Sequence, residues 1–531
     1  MKKLTYLIAI LVAGIFMLSS CTKGWEELNK DPNNPTEVPP TTVLGHVIRA
    51  TGDAFFDDWQ GMNNFLSYSG VVTKIQYTDE ARLNERESTI NAAWRNYYTL
   101  LEDLKKVQEL ADADQNDQYG DNIKAAAMTF SAFLWIMATD QWGYIPFSEA
   151  LQAEDGVTNP KYDAQQDIYS GIIQMLKDAY NMYSNQGGEI GSGDFLYHGN
   201  VDAWKKFTGS LLLRVATRIS YVDPATAQSI FNDIKAGTYE VFTSRADEAK
   251  LVWPGESPYY EPWYNNRMIQ GRDDHGMAKT FIDTLVSWQD PRIWAYAIPS
   301  GFADDYGDTT FIYPIPAGLF KGQLEGPSSS AGDVAGTSRM GYIYRYKPDG
   351  YTWFMRYAEV EFDLADLYYR LDNDPASART HYYAGIDAGF EESAEDPNYG
   401  ADILAVKSTY LADPKVAWEA NSSTDDFNFV RGESGSPVPD DLVRIWVQRW
   451  IVMFKEGQEE WAMMRLTDFP KMPVPPGSQY VGNHNRSPQR YPYPVDEENL
   501  NRANLQAAKD AQNIVDDFWG AMWWDTRPGI N

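Results

Sequence analysis

A single cysteine in a chain that opens like an export substrate is the feature that most limits the architecture. Cys21 is the only cysteine among 531 residues. No disulfide can staple the fold, so its stability must come from an extended core. Met1-Lys2-Lys3 begins the chain, an apolar run follows from Leu4 to Met17, and Leu18-Ser19-Ser20 leads into Cys21. A basic start, a short apolar run and small residues before a cut make a secretory signal. The run is shorter than the roughly 20 apolar residues needed to span a bilayer. A thiol at the cut can form the thioether of a lipid anchor, and Leu18 to Cys21 resembles a bacterial lipobox. The sequence therefore predicts a signal peptide over residues 1–20 and lipidation at Cys21. A polar tether over 21–40 follows, marked by Pro32, Pro35, Pro39 and Pro40. Residues 41–531 are expected to form a single folded domain, held to a membrane through the lipid only.

That domain reads as mainly helical. Trp94, Tyr97, Leu101, Leu104 and Val107 recur at helical spacing within Asn91–Ala111. Ile123–Thr139 is apolar nearly all round, as in a buried helix. Asp163, with Gln166 three residues later, suggests a capped helix running to about Tyr183. Further helices are expected over Ala203–Ser220, Pro224–Ile234, Trp353–Leu371, Pro375–Glu392, Asp441–Glu456 and Glu498–Phe518. Residues 237–352 differ. They are rich in Gly, Pro, Asp and Tyr and read as a loop-rich insertion, with a short helix at Asp283–Trp288. A strand is expected near Gly341–Tyr346, where Tyr342, Tyr344 and Tyr346 alternate. No strong long-range repeat is present, although the paired helices would suit tetratricopeptide-like hairpins.

The charge excludes some partners. Against 45 Lys+Arg stand 75 Asp+Glu, a net charge of −30, which repels nucleic acid and anionic lipid. The five histidines are scattered without metal-ligand spacing, and there is no phosphate-cradling glycine loop and no nucleophile elbow. Asp112-Ala113-Asp114-Gln115-Asn116 resembles the start of a calcium loop, but Asp117 replaces the required glycine and Ile123 the bidentate acid. Calcium is a weak reading, no other cofactor is expected, and the segment reads as an interhelix turn. Glu359 with Glu361, and Glu459 with Glu460, are candidate carboxylate pairs for glycoside hydrolysis. Their helical setting favours ion pairs.

The candidate ligand face is aromatic. Trp253, Tyr259, Tyr260, Trp263 and Tyr264 fall within twelve positions broken by three prolines. Prolines at that density oppose a regular helix, so some rings are expected to face solvent and stack on sugar. Arg267 and Asp273 follow within bonding reach, with Asp274 beside them, and Trp59 and Tyr77 are second contributors.

Motifs then become specific. Thr139-Asp140-Gln141-Trp142-Gly143 with Ile145-Pro146-Phe147-Ser148-Glu149-Ala150, Trp204-Lys205-Lys206-Phe207 running to Arg214, Asp290-Pro291-Arg292, Tyr357-Ala358-Glu359-Val360-Glu361-Phe362 and Tyr491-Pro492-Tyr493-Pro494 occur in order. Together they resemble the SusD/RagB family, from Cys21 to about residue 505. The resemblance implies a fold of four tetratricopeptide-like helix pairs with a loop-rich ligand face. It implies a non-catalytic lipoprotein on the cell-surface side of the Bacteroidetes outer membrane, binding nutrient. The ligand would be an oligosaccharide or, as in RagB-like members, a peptide. The implied partner is a SusC-like TonB-dependent transporter over which the protein closes as a lid. A surface glycoside hydrolase is the alternative of a different class, and a lid without ligand affinity is a third. The motifs themselves look structural: Trp142-Gly143 and Pro146 shape a turn, and Glu359 pairs inside.

Overall fold

The computed structural model describes residues 38–114, 118–302, 309–326, 336–418, 440–470, 472, 474–481 and 487–526. The signal, Cys21 and most of the tether lie outside the described residues. Helices dominate: α1 Pro40–Phe55, α2 Glu87–Asp112, α3 Asp121–Trp142, α4 Gln165–Met182, α5 Val201–Ile219 and α6 Pro224–Lys235 lead the chain. Each packs on the next, as expected of stacked hairpins. The periodic residues explain the order. In α2 the positions Trp94, Tyr97, Leu101, Leu104 and Val107 are all buried, and in α3 nearly every side chain is. A helix buried on most sides becomes the one around which others assemble. The second half carries α7 Lys279–Ser287, α8 Tyr357–Arg370, α9 Pro375–Ser393, α10 Asp440–Val452 and α11 Gly457–Thr467. Here α8 packs on both α9 and α10 and reaches back to α5. Among the described residues no helix is long and apolar enough to cross a membrane.

Two short antiparallel ladders stitch the loop-rich region to the helices. β1 Val72–Lys74 pairs with β3 His275–Met277, and β2 Ala249–Val252 pairs with β4 Tyr351–Met355. The first ladder ties the N-terminal region to the loop after the aromatic segment.

Several sequence expectations need correction. Residues 353–371 are not one helix. Tyr351–Met355 is strand and α8 starts at Tyr357, because Arg356 is extended and sends its guanidinium into the core to Glu392, 3.0 Å away, and Glu456. Gly341–Tyr346 holds a helical turn, Tyr342–Arg345, rather than a strand. Its Tyr344 is buried and donates to Glu392 at 2.6 Å. The segment Asp441–Glu456 ends at Val452 and restarts as α11. Lys455 is left-handed there and pairs with buried Glu261 at 2.7 Å. Asp163 is not the cap of α4, which begins at Gln165 behind Ala164. Its carboxylate instead accepts the N–H groups of Phe147 and Ser148 at 3.1 and 2.7 Å, holding the turn after α3. The last helix is two pieces, α12 Val495–Leu500 and α13 Arg502–Gln512, hinged at Asn501. Helix α1 and a π-helical segment at Asp58–Phe65 had no counterpart in the sequence reading.

The recognised motifs meet in the interior. Arg214 of α5 makes a two-pronged pair with Glu359 of α8, both bonds at 2.6 Å. Arg218 reaches Glu459 at 2.6 Å, and Arg449 joins Asp363 and Glu459, each at 3.1 Å. These partners hold the Glu459 carboxyl at about 2 against the opposing effect of burial. Asp140 accepts from Tyr169 at 2.7 Å and from Trp524 Nε1 at 2.8 Å. The Trp142 indole donates to the Pro492 carbonyl at 3.0 Å, and the Tyr491 N–H to the Gln141 carbonyl at 2.7 Å. Arg292 doubles onto Asp290 at 2.9 and 2.6 Å.

Candidate functional site

The site begins where α1 ends. Asp57 has an extended backbone and its carboxylate accepts the N–H groups of Trp59 and Gln60, at 3.0 and 2.8 Å. This cap starts the π-helical segment and fixes the angle at which Trp59 leaves the surface. Burial pushes the Asp57 carboxyl well above its usual range, and the neighbouring Asp58 charge adds to that. Trp59 remains 40 % exposed, with the Arg86 guanidinium 5.1 Å over its ring. Arg86 is pinned from behind by Glu80 at 2.8 Å, and Glu80 is itself fully buried and paired with Lys74. The ring and its cation are thus fixed before any ligand arrives.

Trp59 stands on an open cleft of about 430 Å³. The far walls are Asp53 from α1 and the polar first turns of α2, Ser88, Thr89 and Asn96. Asp53 pairs with Arg49 one turn back, and the Arg49 guanidinium lies 5.6 Å over the ring of Tyr259. Tyr259 is 46 % exposed. A third platform repeats the pattern. Tyr77, 61 % exposed, has Arg272 at 5.4 Å over its ring, and Arg272 is held by Asp274. The Asp274 carbonyl accepts the Ile75 and Gln76 N–H groups at 2.7 and 3.3 Å, so β1 and β3 carry this pair. Tyr77 sits at φ 51°, a left-handed conformation that costs energy for a residue with a Cβ and is typical of functional loops.

The sequence candidates divide accordingly. Trp59, Tyr77 and Tyr259 are presented to solvent. Tyr260 and Tyr264 are half-buried and lean on each other, ring centres 5.5 Å apart. Trp263 and Trp253 are corrected: their rings are sealed, at 0 and 2 % exposure. The Trp263 indole donates to the Phe56 carbonyl at 2.9 Å and that of Trp253 to Thr352 at 3.0 Å. The three prolines did not exclude helix as expected. Pro262 occupies the first turn of a short helix, Pro262–Tyr264, capped by Glu261, which accepts the Tyr264 N–H at 2.8 Å. That turn aims Trp263 inward. Arg267 is half-buried, 3.9 Å from Asp273, and Asp273 is bound in two places by Arg339, at 2.9 and 2.8 Å. Burial raises the Asp273 carboxyl, but Arg339 outweighs it and the net shift is downward. Asp273 therefore acts as an anchor for the loop. Arg49, Asp53, Arg86 and Arg272 were missed by sequence reasoning. Their only signal was spacing, since Arg49 and Asp53 are one helical turn apart.

The candidate catalytic carboxylates are interior. Glu359 and Glu459 belong to the arginine network, Glu361 accepts from His381 at 2.7 Å, and Glu460 is 2 % exposed beside Ser69. In the suggested calcium turn, Asp114 accepts the N–H groups of Gln118 and Tyr119, both at 2.9 Å, and Asp112 pairs with Lys124 at 2.8 Å. Gln115, Asn116 and Asp117 lie outside the described residues. No group of three His, Cys, Asp or Glu placed to hold a metal occurs among the described residues.

A family model described as SusD-like, starch-binding and associating with the outer membrane matches residues 32–494. The chain belongs to the SusD-like family. Solved structures agree on the fold. A SusD homologue from Parabacteroides distasonis is 20% identical with a TM-score of 0.74, covering 92% of this chain and 98% of that one. A SusD homologue from Bacteroides fragilis is 23% identical with a TM-score of 0.72, covering 92% and 100%. A chitin-binding SusD homologue from Flavobacterium johnsoniae is 21% identical with a TM-score of 0.72, covering 92% and 98%. No curated protein matches the chain in sequence. The SusD-like fold accounts for the mainly helical architecture, and the ring–guanidinium platforms of this chain sit on loops and helix ends.

Proposed function

We propose that this chain is a non-catalytic surface lipoprotein that captures oligosaccharide at the Trp59–Tyr259–Tyr77 face and passes it to a SusC-like TonB-dependent transporter in the outer membrane. The observation that carries the reading is the set of three exposed rings, each backed by an arginine that a carboxylate holds. A flat ring takes the C–H face of a sugar, while the guanidinium beside it donates to hydroxyls. The paired charges nearly cancel, which suits a neutral sugar better than an acidic one. The chitin-binding and starch-binding descriptions of related proteins point the same way. Against catalysis, the four carboxylates singled out in the sequence are buried, and Glu359 and Glu459 are tied up in ion pairs with arginines.

Calorimetry against a neutral glycan panel, with reducing ends counted in parallel, tests the reading. Saturable binding without new reducing ends is expected. Turnover of any bound glycan, or binding only to peptides, would overturn it. For the anchor, Cys21→Ser is expected to abolish lipid labelling and release the protein from the outer membrane; unchanged retention would contradict it.

A further inference from the structure

Helix α2 has two polar edges. Ser88, Thr89, Ala92 and Asn96 wall the Trp59 cleft, while Glu87, Ile90 and Asn91 project from the opposite side, half a helical turn away. On that opposite side lies a second open cavity of about 360 Å³. Its lining is mixed, with Tyr480, Pro494 and Phe518 from the C-terminal segment among polar side chains. Its floor is polar. Asn91 is only 9 % exposed, yet its Oδ1 has no hydrogen-bond partner. Glu85, which lines the same cavity, accepts the Tyr68 hydroxyl at 2.6 Å through Oε1; Asn64 lies near the carboxyl but gives its amide N–H to Tyr491, and Oε2 is left buried without a bond of good geometry. A buried polar atom left unpaired is costly and uncommon, and is expected where a ligand supplies the missing bond.

We propose that this cavity is a second sugar subsite, binding a neutral ring with a hydroxyl between Asn91 and Glu85 and its apolar face against Tyr480. The inference rests on the reading of the chain as a glycan binder. The chemistry selects among ligand classes. Burial pushes the Glu85 carboxyl up to about 8, so near neutral pH its Oε2 carries a proton and donates, while Asn91 Oδ1 accepts. A hydroxyl can accept from one and donate to the other; an ammonium group cannot accept at all. Anionic ligands meet Glu87, Glu498 and Asp516 at the rim. The volume lies within the usual range for small-molecule pockets.

Saturation-transfer NMR on the purified protein, with maltotriose and with triacetylchitotriose as probes, tests this. Trp59→Ala combined with Tyr259→Ala silences the first cleft, and residual transfer to at least one probe is expected. Adding Asn91→Leu, of similar size, should cut that residue about tenfold. Because it removes an unpaired buried acceptor, its Tm is expected at or above the parent's. Tyr480→Ala, a wall residue, is a second variant expected to weaken the same residual transfer. Residual transfer indifferent to both variants overturns the subsite, as does complete loss of transfer in the ring double variant. Transfer unaffected by the ring variants but abolished by Asn91→Leu supports the subsite and overturns the first cleft instead.

Discussion

Two arginine-rich regions of this molecule use the same side chains to opposite ends. Inside, Arg214, Arg218 and Arg449 meet Glu359, Asp363 and Glu459 with nearly no exposure, and the charges lock α5, α8, α10 and α11 to one another. On the surface, Arg49, Arg86 and Arg272 also have carboxylate partners, but each guanidinium lies over an exposed ring. A buried pair contributes geometry, because losing one partner strands a charge in low dielectric. A pair whose cation is exposed contributes less stability and leaves ring and cation available to a ligand. On the proposed function, the difference separates fold from ligand binding in residues of identical type.

That separation is breakable. The largest effect is expected inside: Arg214→Ala should cost about 3–5 kcal/mol of stability by leaving Glu359 with only the longer contact to Arg449, at 3.4 Å. Urea denaturation reads it, and a loss below about 1 kcal/mol would mean that the interior network is not holding the helices. Next, Trp263→Ala should cost about 3–5 kcal/mol as a core cavity, with glycan affinity per folded molecule unchanged in calorimetry. Among surface changes, Arg86→Ala should leave the melting temperature nearly as it was and weaken binding several-fold, since Trp59 loses its backing cation; unaltered affinity would remove the platform from the site.

The smallest effect is a pH slope. The buried Glu85 carboxyl sits at about 8 in the fold against 4.5 when free; burial dominates, the Tyr68 hydroxyl opposes it, Glu80 adds to it, and Lys74 and Asn64 offset it further. The native state therefore keeps a proton that the unfolded chain gives up. This contribution is fully present below about 4.5 and is lost as pH rises through about 8. Glu85→Gln should flatten that slope, by on the order of 1–2 kcal/mol across the window given the partial exposure of Glu85. Parallel stability curves for wild type and variant would show that Glu85 is an ordinary solvated acid.

The sequence and the structure agree best where periodicity is strong. The buried face of α2 and the all-round burial of α3 were readable because core packing repeats at helical spacing. The failures share a cause, namely long-range partners that no local pattern reveals. Arg356 breaks a helix-like run because Glu392 and Glu456 wait for it. Lys455 ends α10 because Glu261 does. At the candidate site the aromatic cluster drew attention to a loop that carries one well-exposed ring, Tyr259, but ring count could not say which rings face out. Pro262 opens a helical turn that buries Trp263, while Tyr259, four residues earlier, stays outside. Trp59 and Tyr77 stood second in the sequence ranking, and their value became visible only when α1, α2 and the β1–β3 ladder brought arginines over them.

One paired measurement goes to the centre of the account: affinity and melting temperature together, for Trp59→Ala and Trp263→Ala against wild type, with one oligosaccharide the protein binds. The exposed-platform account predicts that Trp59→Ala loses about tenfold or more in affinity, corresponding to about 1–3 kcal/mol for one stacked ring, at a nearly unchanged Tm. Trp263→Ala should show the reverse. Wild-type affinity in Trp59→Ala, or a selective loss of affinity in Trp263→Ala at an unchanged Tm, would contradict it.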